Sequence, residues 1–198
     1  MQASELLARY STGERTFDNV DLTGANLAGA TLVEASFRNA NLSRANLGGA
    51  KLMMADLTSA SLREANLIRT NLNGAELCNA DMRRSQLIAA TLIAANLSEA
   101  NLSAANLHDA ILSRATLTRA DLRDATLRGA DLRDISAKQS LLTGANLQSA
   151  NLLGAKLQYA ILIGAILADT ILDRVDWLGA DLRDVVMLKE KSVGWGYR

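Results

Sequence analysis

The feature that most limits what this chain can fold into is a register of five. From Phe17, steps of five residues land on Leu22, Leu27, Leu32, Phe37 and Leu42, and onward to Leu172, Trp177, Leu182 and Met187. Of these 35 positions only Ala137 is not a large apolar residue. Two residues earlier the chain usually carries a small side chain, as at Ala25, Ala30 and Ala35, with Thr70, Ser85, Ser140 and Thr170 as polar exceptions. The position between is usually Asn, Asp, Thr or Ser, and no insertion breaks the frame from residue 15 to residue 189.

Neither regular element accommodates this spacing. An α-helix turns about 100° per residue, so five residues rotate a side chain by about 140° and the leucines would spray around the axis. In a flat strand side chains alternate faces, and an odd step of five sends successive leucines to opposite sides. The conflict disappears if each unit is a short extended segment followed by a corner, so that Ala25 and Leu27 face a common axis, Asn26 faces out, and Ala28 and Gly29 turn. Backbone groups left unpaired within such a coil would pair with the coils above and below, at about 4.8 Å spacing. The sequence therefore predicts a parallel β-solenoid. Sorting the outward residues into columns does not fix the units per coil. Four columns align Asn26, Asn46, Asn66, Gln86, Asn106 and Asn146, while three align Asn26, Asn41, Asp56, Asn71, Asn101, Asp131, Asn146 and Asp176.

In tandem, A-[DN]-L-x-x resembles the pentapeptide-repeat proteins, over about nine-tenths of the chain. The resemblance implies an all-β fold, a right-handed quadrilateral parallel β-helix of four units per coil, with two inward residues per unit and no channel. Residues 1–14 are expected to form an N-terminal cap, 15–189 the solenoid and 190–198 a C-terminal tail. The cap is expected to be a short helix over Ser4–Tyr10. Ser4 or Ala3 would start it, Glu5 would sit in the first turn, and Leu6, Leu7 and Tyr10 would form the face that closes the solenoid mouth.

Composition narrows function. Twenty-one basic and 21 acidic residues cancel, so no long-range field gathers nucleic acid or anionic membrane. Cys78 is the one cysteine, too few for a disulfide or a thiolate metal cluster and in keeping with a reducing compartment. No apolar run has signal-peptide or membrane-spanning length. A cytoplasmic location is expected, with no nucleic acid, membrane, metal or cofactor as partner.

Chemistry-bearing residues have plain surface readings. His108 beside Asp109 lacks a second histidine, and Cys78 sits just after Leu77 at an outward position. Asp21, Asp81, Asp121 and Asp131 recur because the repeat recurs, and the run Arg119, Asp121, Arg123, Asp124, Arg128, Asp131, Arg133, Asp134 alternates in sign as self-neutralising pairs do. No catalytic residue is expected. Exposed apolar residues are more informative, since outward positions have no core to serve. With four units per coil, Val33, Met53 and Met54 share a side with Ile93, and Ile68 and Ile88 stack on the adjoining side. Leu153, Ile161, Ile163, Ile166 and Ile171 gather towards the C-terminal end. They would be covered by a second copy of the chain or by the tail with Val193, Trp195 and Tyr197. These eleven residues are the candidate interaction surface.

The expected function is a non-enzymatic protein-interaction or scaffold solenoid with an unidentified protein partner and a homodimer contact at the C-terminal end. The alternative is that the chain resembles the family members that bind DNA gyrase by imitating the shape and negative charge of duplex DNA. That alternative needs an acidic surface, and here Arg63, Arg83, Arg123 and Arg183 interleave with the acids. At the one break in the leucine register, Ile135 is expected to turn inward and fill the space beside Ala137, with Lys138 and Gln139 at the surface.

Overall fold

The computed structural model describes residues 1–187, so the 190–198 tail with Val193, Trp195 and Tyr197 lies outside the described residues, as do the last two positions of the 15–189 segment. Helix α1, Ala3–Ser11, leads into a chain whose parallel bridges join each residue to the one twenty further on, from Thr16↔Ser36 to Ile166↔Val186. Twenty residues make one coil of four units, which decides between the two column sortings. The first coil begins at Thr16 and the third at Asp56. At the inter-strand spacing the stack is roughly 42 Å long.

The five backbone N–H groups of a unit show why the repeat closes at this length. Asn41 donates to the Val20 carbonyl of the preceding coil (2.9 Å), while Leu42 and Arg44 donate to Ser61 and Arg63 of the following coil (2.7 and 2.8 Å). Ala45 donates back to Leu42 across the corner (3.0 Å). The remaining N–H, of Ser43, reaches the Asn41 side chain (3.1 Å). That last bond explains the preference for Asn and Asp between the two inward residues, because only a short side-chain acceptor reaches the N–H two residues on. Where Thr91 stands there instead, Asn73 of the preceding coil supplies the acceptor for Ile93 (2.9 Å). Each unit contributes a single bridging residue between turns, so the expected strands appear as ladders of isolated bridges.

The second corner residue of each unit has positive φ, and most of these residues are not glycine: Arg44 at 59°, Met54 at 57° and Asp124 at 57° are typical. With the i→i+3 bond from Ala45 to Leu42, this is the type II turn pattern. Each left-handed non-glycine residue costs about 1–2 kcal/mol, offset by the inter-coil bond that its own N–H makes.

Leucines and alanines fill the interior, with Leu22 to Leu167 almost wholly buried. The polar exceptions are satisfied there, since Thr70 donates to the Leu47 carbonyl (2.7 Å), Ser85 to Met82 (2.7 Å) and Ser140 to Ala137 (2.7 Å). Ile135 does point inward, 3% exposed, and Lys138 and Gln139 are at the surface. It fills most of the space beside Ala137, leaving a cavity of about 10 Å³ lined by Leu117, Leu132, Leu157 and their neighbours.

The helix begins at Ala3, one of the two expected starts, after Gln2 with no side-chain cap bond, so Ser4 lies inside the first turn. One detail of the cap differs from expectation. Leu6 is fully buried and the Tyr10 hydroxyl donates to the Val33 carbonyl (3.0 Å), but Leu7 is 37% exposed. Residues i and i+4 share a helix face whereas i+1 lies about 100° away, so Leu6 and Tyr10 face the first coil and Leu7 faces outward.

The Ile135/Ala137 exchange gives a coupled expectation. Ala137→Leu alone overpacks the interior and costs about 1–3 kcal/mol, and Ile135→Ala alone costs about 2–5 kcal/mol. The double variant restores the leucine register, so its loss is expected to fall well short of the sum in a urea double-mutant cycle.

Candidate interaction surface

The twenty-residue coil sorts outward residues into four faces. The first carries Asp21, Asn41, Ser61, Asp81 and Asn101 with Thr23, Ser43, Arg63, Arg83 and Ser103 beside them. The second carries Asn26, Asn46, Asn66, Gln86 and Asn106 with Ala28, Gly48, Ile68, Ile88 and His108, and the third Thr31, Lys51, Asn71, Thr91 and Ile111 with Val33, Met53, Asn73, Ile93 and Ser113. The fourth carries Ser36, Asp56, Glu76 and Asn96 with Arg38, Thr58, Cys78 and Ser98.

Charge divides along these faces. Through residue 113 the second face has no Asp, Glu, Lys or Arg at these positions and the third has only Lys51, while the first and fourth carry the ion pairs. The second face is also held by side-chain amides, with Asn46 donating to Asn26 (3.1 Å), Asn66 to Asn46 (2.9 Å) and Asn106 to Gln86 (3.3 Å). On the adjoining faces lie Ile68 and Ile88, and Val33, Met53 and Ile93, all half-buried. Met54, at the far corner of the third face, is 63% exposed. Ile111, bridged to Thr91 on the third face, extends the same surface and went unremarked in the sequence, although its outward position in the register was the available signal.

The C-terminal candidates spread differently from the single cluster expected. Ile161 and Ile163 lie on the first face, Ile166 on the second, and Leu153 and Ile171 on the third, because successive units turn a corner. Ile171 is 46% exposed and the others are half-buried. They form a collar, extended by Leu141 under Ile161, by Val186 after Ile166 and by Leu178, 65% exposed. Among the described residues the last coil also opens its interior, with Trp177 half-buried, Leu182 36% exposed and Met187 40% exposed.

The remaining residues take surface roles. His108 Nδ1 lies 2.9 Å from the Arg128 carbonyl and its Nε2 3.4 Å from Asp109. Burial, then Glu76, raises the Cys78 thiol above its ordinary pKa, the opposite of the shift that activates a thiol. Asp81, Asp121 and Asp131 each accept a forked pair of bonds from the arginine two residues on, at 2.6–2.9 Å. That guanidinium, above all, holds each carboxyl below the usual carboxylate range; the arginine's backbone N–H adds to it and partial burial opposes it. Within the run from Arg119 to Asp134, Asp121 pairs with Arg123 and Asp131 with Arg133, while Arg119 reaches Glu99 one coil back (2.5 Å).

The model of the family described as pentapeptide repeats matches residues 17–52, 55–92, 95–134 and 138–174, in eight copies. Among solved structures, HetL from the cyanobacterium Nostoc sp. strain PCC 7120, a pentapeptide-repeat protein involved in heterocyst differentiation regulation, is 33% identical. The match covers 93% of this chain and 94% of HetL with a TM-score of 0.54. QnrB1, a plasmid-mediated fluoroquinolone resistance protein, in a trypsin-treated variant form, is 17% identical over 87% of this chain and 90% of its own, with a TM-score of 0.70, a likeness of fold. No curated protein matches the sequence.

The lowered aspartates set an acid limb. A carboxyl whose folded pKa lies below its unfolded value of about 3.9 contributes stability that is complete above that value and lost as pH falls through the folded one. Urea midpoints are expected to hold from neutrality to about pH 5 and to decline below about pH 4. Asp121→Asn should flatten part of that decline.

Proposed function

This chain belongs to the pentapeptide-repeat family, and on that footing we propose that it is a non-enzymatic interaction solenoid, wound in the family's right-handed sense and working in the cytoplasm. Its binding surface is the charge-poor side formed by the second and third faces. The observation that carries the reading is the division of charge. Through residue 113 the arginine–carboxylate pairs lie on the first and fourth faces, while Ile68, Ile88, Ile93 and Ile111 stand in the outward files of two adjoining faces whose one charged residue is Lys51, with Met54 at the corner. A polar-rimmed apolar patch on a rigid backbone suits a protein partner, because it can be desolvated at little electrostatic cost. The involvement of HetL in regulating differentiation, at 33% identity over nearly the whole of both chains, favours a regulatory partner.

The C-terminal end is proposed as a homodimer contact. The helix covers the N-terminal mouth with Leu6, so one copy cannot continue the stack of another head to tail. Two collars meeting about a two-fold axis close the assembly at two. Gyrase binding is the second reading, favoured by the fold shared with QnrB1 and opposed by zero net charge and by arginines paired to the acids of the first face.

Three measurements separate these. Ile68→Glu with Ile88→Glu and Ile93→Glu is expected to weaken partner binding at least about tenfold with an unchanged melting temperature; unchanged affinity refutes the surface. Changing Ile161, Ile163 and Ile166 to Asn is expected to shift sedimentation from dimer to monomer, and a wild type that is already monomeric transfers the cover to the chain's own tail. Inhibition of gyrase supercoiling at micromolar protein would favour the second reading.

A further inference from the structure

Across the third to sixth coils the edge of the first face is notched. Its outward file runs Arg63, Arg83, Ser103, and the corner beside it runs Glu64, Arg84, Ala104, Asp124. Ser103 and Ala104 are shorter than the arginines of the coils on either side, and the step leaves a cleft of about 230 Å³ walled by Arg63, Arg83 and Arg84 together with Glu64 and Asp124. The small residues make the concavity and the arginines give it a sign.

The carboxylates nearby do not cancel that sign. Glu64 is bonded to Arg44 of the preceding coil (2.9 Å). Asp81 holds Arg83 through two bonds (2.8 and 2.6 Å) and reaches Arg63 only at 3.9 Å. Asp124, on the opposite wall, leans away from the arginines: its Oδ1 lies over Gly144 of the next coil, 2.6 Å from where a Cβ would stand. Among the described residues Arg84 has no carboxylate within ion-pairing distance. Four guanidinium groups, those of Arg44, Arg63, Arg83 and Arg84, therefore face three carboxylates, those of Glu64, Asp81 and Asp124, a local excess of one positive charge on a protein of zero net charge. Asp81 occupies the Nε/Nη2 fork of Arg83 and so fixes its guanidinium, leaving the Nη1 edge for a ligand at a lower ordering cost.

We propose that this notch binds a compact dianion of the phosphoryl class, seated against Arg63, Arg83 and Arg84 with Ser103 and Ala104 beneath it. Guanidinium forks match tetrahedral oxyanions bidentately, and three converging from two coils select a doubly charged group over chloride. The same chemistry arises from free phosphate or from a phosphorylated side chain of a bound protein. The site lies on the first face and its corner towards the second and uses none of the apolar residues of the charge-poor surface, so it stands or falls independently of that reading.

The test is calorimetric titration of the full chain at low ionic strength with inorganic phosphate and, separately, with a phosphoserine peptide and its unphosphorylated form. Saturable one-to-one binding is expected, weakened at least about tenfold by Arg63→Gln with Arg84→Gln, untouched by Arg133→Gln on the third face, and reduced by added salt. Ala104→Glu is the second variant. It leaves every arginine in place and puts a carboxylate on the floor, at a corner conformation that Glu64 and Glu99 already adopt (φ 56° and 60°), and it is expected to abolish binding. Tighter binding of the phosphopeptide than of phosphate assigns the site to a modified partner, and equal binding assigns it to the free anion. No saturable binding of either probe overturns the proposal, as does binding that survives both variants or falls equally with Arg133→Gln.

Discussion

Everything in this molecule depends on the parallel backbone pairing between coils twenty residues apart. A five-residue unit cannot satisfy its own N–H groups: one is met across the corner and one by the Asn or Asp side chain, and the other three need a neighbouring coil. Cooperation between coils is therefore obligatory, and stability grows with each added coil as nearest-neighbour pairing rather than as one large core. The narrow interior follows from the same constraint. With every backbone unit drawn tightly around the axis there is room for a leucine and an alanine, and Ile135 with Ala137 shows that the sum of the two matters more than their order.

The ladder also explains why so many corner residues hold a left-handed conformation without being glycine. Their side chains rise along the corner file, and where one is bulky the next coil often has a glycine beneath it, as with Met54 above Gly74, Asp134 above Gly154 and Tyr159 above Gly179. The corner files thus carry a second code of large residues and spaces. The notch at Ala104 is the same effect on the first face, where shortness produces a concavity in an otherwise even wall.

A surface of this kind concentrates function in side-chain files rather than in loops. The apolar collar lies at the C-terminal end of the first face and of the two faces that are charge-poor nearer the N-terminus, and the arginine notch stands at the corner where the first face turns into the second. What distinguishes the two ends is equally physical. Leu6 closes the first mouth and Tyr10 ties the helix to Val33, whereas in the last described coil Leu182 and Met187 remain open.

By itself the sequence determined the repeat, its inward residues and the absence of interruption, since a period of five is incompatible with a single helix face or a flat strand. It also located Ile135 as the partner of Ala137 and placed Ile68 and Ile88 apart from Met53 and Ile93, provided a coil held four units. That number only the tertiary structure decided, because it depends on how sharply each corner bends, and three or four columns of asparagine read equally well along the chain. The assembly likewise decided which side chains meet. Arg63, Arg83 and Arg84 converge beside Ala104, and Ile161 parts from Ile166 around a corner, because neighbours on this surface are set twenty residues apart by inter-coil hydrogen bonds rather than by proximity in the chain.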